Sequence, residues 1–205
     1  MCDYPLHFNT TQKNNKYKFI IVCGVMMKEI RIHGRGGQGS VTAAELLAVA
    51  AFEDGQYSQA FPSFGVERRG APVVAFTRID DEPIRMRSQV YNPDYVIVQD
   101  VTLMDVVDVA GGLKEDGMMI INTEASAEKF EEVPARVMVV DATRIAMEII
   151  GRPIVNTVLL GAFAGATHEI RLNSIRKAVG DRFSGTIGEK NIKAVEAAYN
   201  AMEGS

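Results

Sequence analysis

From Lys28 onward the chain alternates between short apolar runs and longer stretches with helical spacing. In EIRIHG (29–34), Ile30 and Ile32 share one side of a two-residue period, the mark of a strand. PVVAFTRI (72–79), DYVIVQD (94–100), GMMIINT (117–123) and ARVMVVDAT (135–143) are mostly continuous apolar runs bounded by Gly, Pro or Asp, as expected of strands covered on both faces in a parallel sheet. Residues 40–53 read as a largely buried helix whose few polar positions include Ser40, Thr42 and Glu45. Stretches 102–114, 124–130 and 143–150 fit crossover helices. Pro153 suits the first position of a helix through IVNTVLLGAFAGA, apolar all round except at Asn156 and Thr157, so that helix belongs in a core or an interface. Leu172, Ile175, Val179 and Phe183 keep helical spacing, and after a capping box of Thr186 and Glu189 so do Ile192, Val195, Tyr199 and Met202. This pattern predicts an α/β fold, a Rossmann-like three-layer sandwich with a mostly parallel central sheet.

Composition narrows the picture. With 205 residues, 47% of them hydrophobic, the chain can bury one substantial core, and a single domain over 28–205 is expected. Residues 1–27 are polar and Asn/Lys-rich up to Lys18 and apolar from Phe19 to Met27, too short a run to span a bilayer, which takes about 20 residues. No small-x-small cleavage site follows, so this segment reads as an extension, either a translated stretch ahead of a start at Met26 or Met27 or a disordered tail. A net charge of -4 without a basic stripe argues against nucleic acid as a partner, and any anion site must be local. The only cysteines, Cys2 and Cys23, leave the body of the chain without a set for a disulfide, a zinc site or an iron–sulfur cluster, which fits a cytoplasmic setting.

The chemistry concentrates after the first strand. Gly34, Gly36 and Gly39 satisfy G-x-G-x-x-G between a strand and a helix, with Gly37 and Gln38 completing the loop. Such a loop lets backbone approach a ligand closely, and the following helix offers free N–H groups and a partial positive charge to an anion. Arg35 and the Ser40 hydroxyl can add donors. The alternative is a tight turn in which glycine only permits packing. A dinucleotide needs, besides the loop, an acid about 20 residues on to hold the ribose. In DGQYSQAFPSFG, Ser58, Gln59 and Ala60 occupy the candidate second strand (57–61), and no acid stands where one is needed.

A second group lies in FPSFGVERRGAPVVAF (61–76), where Arg68 and Arg69 sit in a loop framed by Gly65, Gly70 and Pro72. Paired guanidiniums suit phosphate or a partner's carboxylates, and Phe61, Phe64 and Val66 beside them suit an interface; a solvated charge cluster is the plainer reading. Asp100 and Asp141 end predicted strands, where ligands bind or helices are capped. Asn156 is a buried amide tied to backbone or a ligand contact. His33 is the only histidine near the loop, and His7 and His168 have no recognisable partner.

IRIHGRGGQGSVTAAELLA, GQYSQAFPSFGVERRGAPVVAFTRID, PDYVIVQD and PIVNTVLLGAFA, in that order, resemble the gamma subunit of the pyruvate:ferredoxin oxidoreductase (pyruvate synthase) family over about Lys28 to Tyr199. The resemblance implies an assembly of alpha, beta, gamma and delta chains that converts pyruvate, coenzyme A and oxidised ferredoxin reversibly to acetyl-CoA, carbon dioxide and reduced ferredoxin. It implies that thiamine pyrophosphate is held by the alpha and beta chains and the iron–sulfur clusters by the beta and delta chains. A gamma chain of this kind packs on its partners and helps engage coenzyme A, for which Gly34, Arg35, Gly36, Gly37, Gln38, Gly39, Ser40, Arg68, Arg69 and Asn156 are the candidate contacts; no catalytic or metal-ligating residue is expected. Relatives acting on branched-chain 2-oxoacids can share such a chain. A freestanding nucleotide-binding Rossmann module and a scaffold with no enzyme attached remain as other readings.

Overall fold

The computed structural model describes residues 27–63 and 68–203. The expectations for Cys2, His7, Cys23 and the first 26 residues, and for Phe64, Gly65, Val66 and Glu67, lie outside them. The chain forms β1 (Lys28–Arg35), α1 (Ser40–Glu53), β2 (Tyr57–Pro62), β3 (Pro72–Asp80), β4 (Tyr95–Val98), β5 (Met118–Asn122), β6 (Arg136–Val140), α2 (Ala142–Ile149), α3 (Asn156–Thr167), α4 (Leu172–Arg182) and α5 (Gly185–Met202). One sheet runs in the order β2-β3-β1-β4-β5-β6.

The pairs β1–β4, β4–β5 and β5–β6 are parallel, while β3 runs antiparallel to both β1 and β2. The sheet is mostly parallel, as the apolar runs predict, and β3 is the exception. Its direction follows from chain length: only residues 63–71 separate β2 from β3, fewer than the dozen or more a parallel crossover needs.

Alternation splits the sheet into two faces. Ile30, Ile32, Ile97 and Ile120 join Leu47, Leu159, Phe163 and Val195 in a core shared with the α-helices. Val96, Val98, Met119 and Ile121 pack on the other face against Leu103, Val109 and Phe130. The apolar helix α3 resolves as a core element, buried from Asn156 through Gly165. It lies close on α5, because a Cβ at Gly161 or Gly165 would meet the carbonyl of Val195 or Tyr199.

Four local expectations are corrected. Stretch 102–114 yields only a 3-10 turn at Val101–Asp105, because Arg31 takes up the carbonyls of Val109 and Gly111, and Gly112 turns to φ 75°. Stretch 124–130 is likewise a 3-10 turn, Ala127–Phe130, in the 123–135 connection between the parallel strands β5 and β6. Pro153 stays outside α3: Ile154 N–H donates to Arg152 O, and the helix begins at Asn156. The capping box of Thr186 and Glu189 does not form, since Thr186 lies inside α5, which begins at Gly185 after the N-cap Ser184. Asp141 does cap α2, accepting from Arg144 N–H at 2.8 Å. Among the described residues no helix is long and apolar enough to cross a membrane.

Candidate functional site

Topology assembles the site. Because β3 is antiparallel to β1, its first residue, Pro72, pairs with Arg35 at the end of β1. The lead-in to β3, residues 68–71, is therefore delivered to the glycine turn. Gly36 N–H donates to Ala71 O (2.8 Å) and Gly70 N–H to Gly36 O (3.1 Å), zipping the two segments together. Gly36 is required by this closeness: a Cβ there would run into the Arg68 carbonyl. Arg68 and Arg69 themselves stand exposed on the rim.

Gly39 is the N-cap of α1 and has φ 79°, a conformation that side chains resist. It also has Asn156 against it: Asn156 Nδ2 lies 3.5 Å from Gly39 O, while Asn156 Oδ1 accepts from Thr157 N–H at 2.9 Å. The first turns of α1 and α3 thus meet at the carboxyl end of β1. The first helical bond of α1 runs from Ala43 N–H to Gly39 O, so the N–H groups of Ser40, Val41 and Thr42 have no helical carbonyl to bond. A shallow hollow of about 240 Å³ lies here, lined by Arg35, Gly36, Gly37, Gly39, Ser40, Val41 and Val73. Gly34 sits beneath it, packed against Ser40 and Gln99.

The charged donor expected of Arg35 is already engaged. Its Nε donates to Asp100 Oδ2 (2.9 Å), Nη1 to Gly70 O (3.1 Å) and Nη2 to Thr102 Oγ1 (2.7 Å). Burial raises the Asp100 pKa, but bonds from Thr102, Arg35 and Gln38 outweigh it, and the carboxyl lies below its ordinary value. Gln99, unremarked in the sequence, proves central: it accepts from Ser40 Oγ at 2.8 Å, and its backbone carbonyl accepts from Asn122 Nδ2 at 2.9 Å. The available signal was an amide closing an otherwise apolar strand run. His33 is buried and neutral, its pKa pushed down to about 3 by desolvation and then by nearby Arg31. It is a poor acid or base near neutrality. His168 is a structural residue, closing α3 at φ 56° with its ring edge-on to Tyr199.

The ten candidate residues gather around one turn, but in different roles: Gly34, Ser40 and Asn156 are buried, Arg35 and Gln38 are tied to Asp100, and Gly37, Arg68 and Arg69 are exposed. The absent ribose acid gains a structural reason. In a dinucleotide fold the second strand lies beside the first, but here β3 takes that place and β2 lies beyond it. A second hollow, about 320 Å³ between Ala127–Phe130 and β6, has only Glu128 and Glu131 as ionisable lining groups. Among the described residues no group of three or more His, Cys, Asp or Glu can hold a metal.

A mixed sheet with a glycine turn at its carboxyl edge, and no strand end for a ribose, defines a Rossmann-like α/β domain. The chain belongs to the pyruvate ferredoxin/flavodoxin oxidoreductase family, which residues 29–201 match. It is 71% identical over 154 residues, 75% of this chain and 85% of the other, to the pyruvate synthase subunit PorC of Methanosarcina barkeri. It is 58% identical over 178 residues, 85% of this chain and 96% of the other, to the pyruvate/ketoisovalerate oxidoreductases common subunit gamma of Thermococcus kodakarensis. The crystal structure of the pyruvate oxidoreductase subunit PORC of Thermotoga maritima is similar with a TM-score of 0.77 at 40% identity, covering 85% of this chain and 96% of that one.

Proposed function

We propose that this chain is the gamma subunit of a multi-subunit pyruvate:ferredoxin oxidoreductase working in the cytoplasm, where it shapes the assembly and carries no redox centre of its own. The observation that carries this reading is the family match over 29–201 together with relatives of 61–71% identity named as pyruvate synthase subunits. The donor set agrees, since iron–sulfur ligation takes four cysteines per cluster and the chain has two. Thiamine pyrophosphate and the iron–sulfur clusters accordingly belong to alpha, beta and delta partners, and ferredoxin is met through the complex. Relatives at 56–58% identity named as common to pyruvate and ketoisovalerate oxidoreductases favour a second reading, in which one gamma chain serves both enzymes.

Within that assembly the glycine turn takes a phosphate of coenzyme A. Three uncommitted N–H groups at the start of α1, the hollow beside them and the exposed guanidiniums of Arg68 and Arg69 support this, as does the missing place for a dinucleotide ribose. Native purification through a tag on this chain, followed by dye reduction dependent on pyruvate and coenzyme A, tests the assignment. The expected result is copurification with larger chains bearing iron–sulfur absorption. Recovery of the chain alone, with tight binding of NAD or NADP, would sink it.

A further inference from the structure

Three side chains close a ring across the mouth of the glycine turn. Arg35 N–H donates to Gln38 Oε1 (2.7 Å), Gln38 Nε2 to Asp100 Oδ2 (3.3 Å), and Arg35 Nε to the same oxygen (2.9 Å). The other Asp100 oxygen accepts from the backbone N–H (3.1 Å) and hydroxyl (2.6 Å) of Thr102, whose Oγ1 accepts in turn from Arg35 Nη2. The carboxylate is thus filled, and each nitrogen of the guanidinium is tied to an acceptor in the wall. An arginine held on three sides is a strut, and its charge is matched by a partner 2.9 Å away.

We infer that Asp100 is a positioning residue: acting through Arg35 and Gln38, it presets the glycine turn so that the turn's own N–H groups receive the ligand phosphate. This rests on the anion reading of the turn given above. A second observation lies directly beneath the turn, behind the lining of the hollow. Gln99 is 1% exposed, with its side chain against Gly34 and Ser40, and its Nε2 has no hydrogen-bond partner among the described residues, leaving a buried donor at the base of the turn. Direct ligation by Arg35 would give the opposite sign at Asp100: removing a carboxylate beside an anion strengthens binding by relieving repulsion, whereas removing the holder of a strut weakens it.

The assembled complex tests this with the Asp100→Ala, Arg35→Ala and double variants, read by the KM for coenzyme A and by hydrogen exchange of peptides spanning 34–40. Each single change is expected to raise KM by about five- to tenfold, more than it lowers kcat, and to speed exchange, with the double variant no worse than the worse single because the pair acts as one unit. Asp100→Asn keeps an acceptor for Thr102 but loses the charge; it is expected to fall between, and it serves where Asp100→Ala does not assemble. A fall in KM with Asp100→Ala beside a rise with Arg35→Ala overturns the inference, and so does unchanged exchange. Faster exchange with a flat KM also overturns it. In that case Arg68→Ala separates the two ideas: a raised KM keeps the coenzyme A reading without the clamp, and a flat KM removes both.

Discussion

On the face of the sheet covered by α1–α5, contacts are mostly apolar: Ile30, Ile32, Ile97 and Ile120 meet Leu47, Leu159, Phe163 and Val195, and the hydroxyls of Ser58 and Thr77 donate across it, to Ala48 and Ala44 carbonyls of α1. On the other face the carboxyl half is apolar too, but β1 and β3 carry the buried polar side chains Arg31, His33 and Arg78, and the two arginines bond carbonyls of coil. Arg31 Nη2 donates to the carbonyls of Val109 (2.9 Å) and Gly111 (2.7 Å). Arg78, fully buried, donates to Glu29 (2.8 Å) and to the carbonyls of Ser88 (2.8 Å) and Gln89 (3.3 Å), with its guanidinium 5.1 Å from the centre of the Phe61 ring. One sheet is thus covered in two ways. A helix satisfies its own carbonyls and is covered mostly by apolar contact, whereas an irregular segment lying on a sheet needs donors brought to it.

The two faces differ most at Arg78. Arg78→Met keeps much of the volume but strands Glu29 and two carbonyls, and should cost about 3–5 kcal/mol in urea unfolding. Leu159→Met on the helical face should cost less than about 1.5 kcal/mol. Equal losses at the two sites would mean that the faces are held alike.

The next effect is pH-dependent. His33 is depressed to about 3 in the fold, so between that value and the ordinary 6.5 the unfolded chain binds the extra proton. Stability is then intact above pH 6.5 and falls as pH drops below it, by about 2 kcal/mol between pH 7 and pH 5. His33→Gln should flatten that part of the profile; an unaltered slope would show that other groups set it. The smallest change is expected on the helical side's outer surface. There Arg176 and Glu196 meet at 2.8 Å in solvent, and Arg176→Ala should shift stability by no more than about 0.5 kcal/mol in the same assay.

The six strands and the helices over 40–53, 143–150 and 172–202 were legible because each obeys one period for long enough to show it. What was hidden depended on partners far along the chain. The 3-10 turn at Val101–Asp105 stands where spacing suggested a longer helix, because the carbonyl of Val109 just beyond it is taken by Arg31, 78 positions away. The glycine turn announced itself through G-x-G-x-x-G, and its ten candidate residues do come together, but their division of labour was invisible. Nothing in HGRGGQG tells that Arg35 faces Asp100, and only the direction of β3 brings residues 68–71 to the loop. The sequence already showed no ribose acid at the second strand; in space, the strand that would carry it is displaced by one position in the sheet.

The pairing of Arg35 with Pro72 also acts as a ruler. The arginine-bearing rim is anchored from its downstream end by the β1–β3 ladder, so its height above the turn is counted in residues of a paired strand. A strand advances about 3.4 Å per residue and turns its side chains over at every step. Sliding β3 by one place would therefore move Arg68 and Arg69 along the sheet and at once turn Arg78 into the helical core, which ties the geometry of the rim to the integrity of the fold.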